Sequence, residues 1–169
     1  MQKDLKIMLG AIAATVLLIV GFSLWQGGKK GEEVLTAGPI AGVEAVPEFY
    51  DLGAVPINGG IVTKEYEVEN TSGGVLKLKK ITTSCMCTQA KVSVGDRETR
   101  FFGMEHGMDR NPPVNIEVGL GETAKVTVNF DPAAHGPEGV GPFDRVVWLA
   151  FSDPAGVKEL KFSGVVVKD

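Results

Sequence analysis

The run Thr82-Thr83-Ser84-Cys85-Met86-Cys87-Thr88 contains both cysteines of the chain, one residue apart. In an extended backbone, side chains two positions apart leave from the same face, so Cys85 and Cys87 are expected to present two sulfurs to one point. Such a pair suits either a soft metal ion or a disulfide. Further soft donors follow: Met104, His106 and Met108, each two apart, and then His135. Thiolate, thioether and imidazole are the donors suited to copper(I) and, for the sulfur and imidazole members, to zinc, whereas hard cations would want carboxylates. The expected metal site is Cys85 and Cys87 with one histidine, His106 or His135, while Met104 and Met108 complete or shield it.

Other readings of the same residues stand beside this one. Two cysteines in a strand are also ordinary buried small side chains, a loop methionine often packs as an adaptable apolar plug, and His-Gly steps also mark turns. A Cys85–Cys87 disulfide is awkward in a fully extended strand, where alpha carbons two apart are roughly 7 Å from each other, at the upper limit for bridging. A turn at Met86, or a bulge at Lys80-Ile81, would relieve this and give an easily reduced bond, redox-active rather than stabilising. The spacing is not the Cys-x-x-Cys of thioredoxin-like proteins.

Catalysis finds little support. The residues Thr82-Thr83-Ser84-Cys85 superficially resemble sortase transpeptidases, but those place a histidine well before the cysteine, and here both histidines follow it. The sequence has no Gly-x-Ser-x-Gly, His-Glu-x-x-His or phosphate-loop pattern. No enzymatic activity is expected.

The elements that must position these donors read as strands. With 22 glycines, 9 prolines and many β-branched residues, the composition favours short strands and tight turns over helices. Alternating apolar residues mark Val62 to Val68, Leu76 to Leu78, Ala90 to Val94, Val114 to Val118, Ala124 to Phe130 and Leu160 to Val166. Val147 to Phe151 is apolar on both faces, and Phe49 to Val55 opens the series. The turn Asn70-Thr71-Ser72-Gly73-Gly74 separates two of these strands, and the phase slips at Lys80-Ile81 as a bulge would make it. The expected fold is all-β, a sandwich of about seven or eight strands over residues 47–169. Two stretches, Gly95 to Pro113 and Asp131 to Pro142, sustain neither period. They hold both histidines, and loops of this length in a compact domain tend to be functional or disordered.

Before the sandwich, no charge occurs from Ile7 to Trp25, and the run is apolar all round. Residues 1–26 are therefore expected to be a signal anchor crossing the cytoplasmic membrane once, with Trp25 at the interface. No small-x-small cleavage pattern follows the apolar run. Residues 27–46, rich in glycine, read as a flexible tether. Residues 1 to 30 hold four lysines against one aspartate, leaving 13 basic and 20 acidic residues and a net charge of −7 beyond them. An acidic domain repels phosphates, so nucleic acid is not an expected partner.

Phe49-Tyr50-Asp51-Leu52-Gly53, Asn70-Thr71, Ser84-Cys85-Met86-Cys87-Thr88 and Asp131-Pro132-Ala133-Ala134-His135-Gly136 together resemble the bacterial domain of unknown function 1573 family, over roughly residues 45 to 167. Its members are similar to the immunoglobulin-like sandwiches of ciliary and centrosomal proteins and of major sperm protein. Many carry glycine where this chain has Met86, which brings it closer to a subgroup with Ser-Cys-Met-Cys-Thr and two His-Gly loops. The resemblance implies an immunoglobulin-like fold outside the cytoplasm and assigns no activity. By fold analogy the expected role is a membrane-anchored binding or assembly module with a protein partner in the cell envelope. The alternative is a copper(I)- or zinc-binding protein using the donors above.

Overall fold

The computed structural model describes residues 15–19, 38–107 and 110–168. By its contacts the chain divides into two units, Met1–Glu33 and Val34–Asp169. In the first, residues 15–19 are helical and exposed. Among the described residues no helix is long and apolar enough to cross a membrane, and most of the expected 1–26 anchor lies outside them.

The second unit is an all-β sandwich of two five-stranded sheets. In chain order its strands are β1 (Val43–Val46), β2 (Phe49–Pro56), β3 (Val62–Asn70), β4 (Leu76–Thr83), β5 (Thr88–Val94), β6 (Arg97–Glu98), β7 (Ile116–Val118), β8 (Thr123–Phe130), β9 (Gly141–Ser152) and β10 (Ala155–Val167). One sheet runs β1-β3-β8-β5-β6, the other β2-β10-β9-β4-β7. All pairings are antiparallel except β2 with β10.

Period-two alternation decides which side of each strand is buried. On β3, Tyr66, Val68 and Asn70 point inward while Glu65, Glu67 and Glu69 face water; on β8, Ala124, Val126, Val128 and Phe130 do the same against Lys125. From the facing sheet, Leu78, Ile81, Val147, Leu149, Phe151, Leu160 and Phe162 complete the core. Tyr66 has no exposed surface, and its hydroxyl donates to Lys161 O at 2.8 Å, satisfying a polar atom that would otherwise be stranded. Burial, aided by the neighbouring Tyr50, pushes its ionisation well above the usual phenol range. At the end of the sandwich nearest the cysteines, the Phe130 and Phe143 rings stack at 4.4 Å, and Phe162 meets Phe130 edge-on at 5.6 Å.

The strand count exceeds the expected seven or eight by two short pieces. β1 lies within the stretch read as a tether, 27–46; Val43 and Ala45 are buried against β3, and Pro39 already bridges to Val157. Its alternation is only four residues long and is bounded by Gly42 and Pro47, which conceals it in the sequence. β6, two residues long, pairs with β5 inside the stretch that sustains no period. The phase slip in β4 is a register shift against β9 between Leu78 and Lys80.

The segment from Gly95 to Pro113 is tied down at several points. Phe102 is buried and exchanges both backbone hydrogen bonds with Ala90, each at 2.8 Å. The Asn111 side chain donates to Ile81 O and Gly103 O. Glu105, nearly buried, takes an ion pair from Lys80 at 2.8 Å, the amide of Asn111 at 2.8 Å and Arg110 at 3.4 Å. Burial alone would raise its pKa, but these three donors outweigh burial and hold it below the ordinary carboxylate range. A depressed folded-state pKa contributes stability that is complete above the unfolded value, about 4.3, and is lost as pH falls through the folded one. Glu105→Gln is therefore expected to flatten the fall of unfolding free energy below about pH 4.3, measured by urea titrations at several pH values. An unchanged acid dependence would remove Glu105 from the acid response.

Candidate functional site

β4 and β5 belong to opposite sheets, so the chain between them, Ser84 to Cys87, crosses from one to the other. It does so in a tight turn. The Thr88 amide donates to Cys85 O at 3.1 Å, with Met86 and Cys87 in the middle, and Met86 is 65% exposed at the tip. Buried Thr83 places its hydroxyl 3.0 Å from both Cys85 O and Thr88 O, bracing the turn from inside. Ser84 docks it on β9: its amide donates to Val146 O, and its hydroxyl accepts from the Val146 amide, both at 2.9 Å.

The cysteines therefore occupy a turn, not the extended strand expected from the sequence. The turn brings their alpha carbons to 5.2 Å, and the two sulfurs are bonded to each other. The geometric objection to a disulfide applies only to an extended chain, and it falls with the turn. Both side chains are buried.

His135 reaches this turn from the far side. The amide of Asp131, just past β8, donates to Cys87 O at 2.8 Å, which ties the start of the 131–142 segment to the cysteine turn. Asp131 Oδ1 then accepts the Ala133 amide at 2.9 Å, and the Gly136 amide donates to Ala133 O at 2.8 Å. Gly136 takes the left-handed conformation, φ +59°, that lets the chain reverse into a 3₁₀ turn at Gly136–Gly139. The folded loop leaves exposed His135 with Nε2 3.1 Å from Cys85 Sγ. One donor atom each from Cys85, Cys87 and His135 lies within 4.8 Å of the others.

The second sulfur has its own neighbours. Arg145 on β9 donates Nε–H to Cys87 Sγ at 3.2 Å, and Thr88 Oγ1 lies 3.6 Å from the same atom. Desolvation lowers the Arg145 pKa, and the nearby Asp144 carboxylate opposes that shift. Its guanidinium also sits over the Phe143 ring at 5.8 Å. A cleft of about 410 Å³ runs alongside, between His135, Glu138, Phe143 and Arg145.

Of the six expected donors, the structure gathers Cys85, Cys87 and His135. His106 is exposed and is not part of the described cluster. Met104 is half-buried in a different cleft, with Thr82, Ser84, Glu105 and Trp148, and Met108 lies outside the described residues. The segment that carries Met104 and His106 is fixed to β4 through Glu105 and Asn111. Arg145 is the residue that the sequence leaves out. Its one signal is a charged pair, Asp144-Arg145, interrupting a strand otherwise apolar from Phe143 to Phe151.

Fold and site together define an all-β sandwich domain with a Cys-x-Cys turn at one end and a histidine from the following loop closing on it. Residues 43–96 match the family model described as Protein of unknown function (DUF1573). The match contains both cysteines and stops before His135 and Arg145. No curated protein matches the chain. Among solved structures, a protein of unknown function from Porphyromonas gingivalis W83 is similar, with TM-score 0.52 and 20% identity over 80% of this chain; this chain spans 51% of that one. That likeness shows the fold alone. A FixG-related protein from Vibrio parahaemolyticus (TM-score 0.36, 14% identity, 74% of this chain and 94% of that one) and the CooA pilin subunit of enterotoxigenic Escherichia coli (0.39, 13%, 75% and 98%) are more distant.

Proposed function

We infer that this chain is an immunoglobulin-like, non-catalytic module, held outside the cytoplasmic membrane by its N-terminal segment, whose reduced Cys85, Cys87 and His135 bind one copper(I) ion. The observation that carries the reading is the convergence of two sulfurs, bonded to each other in this structure, and one imidazole nitrogen within 4.8 Å; reduction of that bond frees both sulfurs as ligands beside the nitrogen. This favours the soft-metal reading over a bare assembly surface. Soft sulfur donors suit copper(I), and three protein ligands fall short of the four that a structural zinc site almost always has.

The fit extends to the surroundings. Cys85 and Cys87 are buried, while the neighbouring His135 and Met86 are exposed, so an ion held there would lie close to the surface that a docking protein meets. Such an arrangement suits a module that receives or passes on its ion at the cell envelope. Membrane attachment is supported by the uncharged run from Ile7 to Trp25. The test is a copper(I) titration of the reduced full chain against a chromogenic chelator. One tightly held equivalent, poorly displaced by zinc, is expected; failure to withdraw copper from the chelator would overturn the reading.

A further inference from the structure

The bond between Cys85 and Cys87 has a different neighbour on each sulfur. Arg145 Nε–H donates to Cys87 Sγ, while His135 and the Cys87 amide flank Cys85 Sγ. The cross-link spans a sequence separation of two residues, so it closes almost no loop and removes little entropy from the unfolded chain. A cross-link of that kind adds little to folding. A cation beside one sulfur, by contrast, is what a departing thiolate needs, because the better-stabilised thiolate leaves faster.

We propose that Cys85–Cys87 is a thiol–disulfide exchange site that accepts two electrons from the dithiol of a partner protein, with Cys85 as the attacked sulfur and Cys87 as the leaving one. Cys85 is the more exposed of the two, 7% against 3%, and it faces the exposed His135 loop. A partner thiolate attacks Cys85 Sγ and forms a mixed disulfide. The Cys85–Cys87 bond breaks, and its electron pair departs on Cys87 Sγ beside the Arg145 guanidinium. The partner's second thiolate then attacks its own sulfur in the mixed disulfide and expels Cys85. The partner dithiol has been oxidised to a disulfide and this pair reduced to two sulfurs, with the two partner protons passing to those sulfurs or to water. Arg145 is a positioning residue, acting through Cys87. The site requires no metal, so this inference stands apart from the copper reading.

The experiment uses the full chain with a metal chelator present throughout, equilibrated in glutathione buffers and read by the mass added on thiol alkylation. The wild type is expected to exchange reversibly while folded. Arg145→Met is expected to shift the equilibrium about tenfold towards the disulfide, about 30 mV, and to slow reduction by a similar factor, while Arg145→Lys recovers most of both. With oxidised glutathione, Cys87→Ser, which keeps the more exposed sulfur, is expected to form a mixed disulfide and release one reduced glutathione at least about tenfold faster than Cys85→Ser. Arg145→Met matching the wild type in equilibrium and rate would overturn the proposal. So would equal trapping of the two single-cysteine variants, or a bond that excess glutathione leaves intact in the folded chain.

Discussion

Replacing either cysteine by serine in the reduced chain is expected to abolish stoichiometric copper(I) binding. Each substitution removes one of two thiolates and puts a hard hydroxyl in its place. The loss should exceed the roughly 100-fold that removal of an outer hydrogen-bond partner costs a metal site. His135→Ala leaves both sulfurs and should cost less than either cysteine substitution. His106→Ala should cost nothing, because His106 stands outside the cluster of Cys85, Cys87 and His135. Chelator competition with the four variants reads this order directly. A loss in His106→Ala with none in His135→Ala would mean that the 95–113 segment, not the 131–142 segment, delivers the nitrogen.

The second large effect concerns the aromatic cluster beneath the site. Phe130 is the last residue of β8, stacked on Phe143 and edge-on to Phe162, and only 3% exposed. Truncating it to alanine removes buried area and leaves a cavity that neighbouring rings can fill only in part, so Phe130→Ala is expected to cost about 3–5 kcal/mol. Urea denaturation should show a lower midpoint with an unchanged slope. The damage should also reach the site, since Phe130 precedes Asp131, whose amide holds Cys87 O, and Phe143 lies under Arg145. Phe49→Ala offers the comparison. At 47% exposure on the edge strand β2 it should change stability by about 0.5 kcal/mol or less. Equal losses for the two phenylalanines would contradict the assignment of the core.

Strands of this sandwich are legible wherever alternation is sustained. Tyr66 and Val68 against Glu65 and Glu67, or Val126 and Val128 against Lys125, state by their alternation alone which face is buried. The register shift between Leu78 and Lys80 is legible too, as the phase slip at Lys80-Ile81, because a lost phase has few other causes in a strand. β1 and β6 are not, being four and two residues long and closed by turn residues. Backbone pairing with β3 and β5 makes them strands, and pairing partners cannot be read from a local pattern.

The site divides along the same line. Cys85 and Cys87 are legible as a pair because they are close in sequence, although the turn that unites them was expected to be a strand. His135 is legible only as one of two histidines in aperiodic loops. What selects it over His106 is the hydrogen bond from Asp131 to Cys87 O, while Lys80 and Asn111 hold the competing loop elsewhere. Arg145 is 58 residues from Cys87, and only the packing of β9 against β4 brings them together.

The most direct test is X-ray absorption at the copper edge on the full chain, reduced and loaded with one equivalent of copper(I). Two sulfur neighbours and one imidazole nitrogen are expected, with the nitrogen lost in His135→Ala and one sulfur lost in Cys85→Ser. A copper ion surrounded only by nitrogen and oxygen, or one whose neighbours survive both substitutions, would contradict a soft-metal site at this turn.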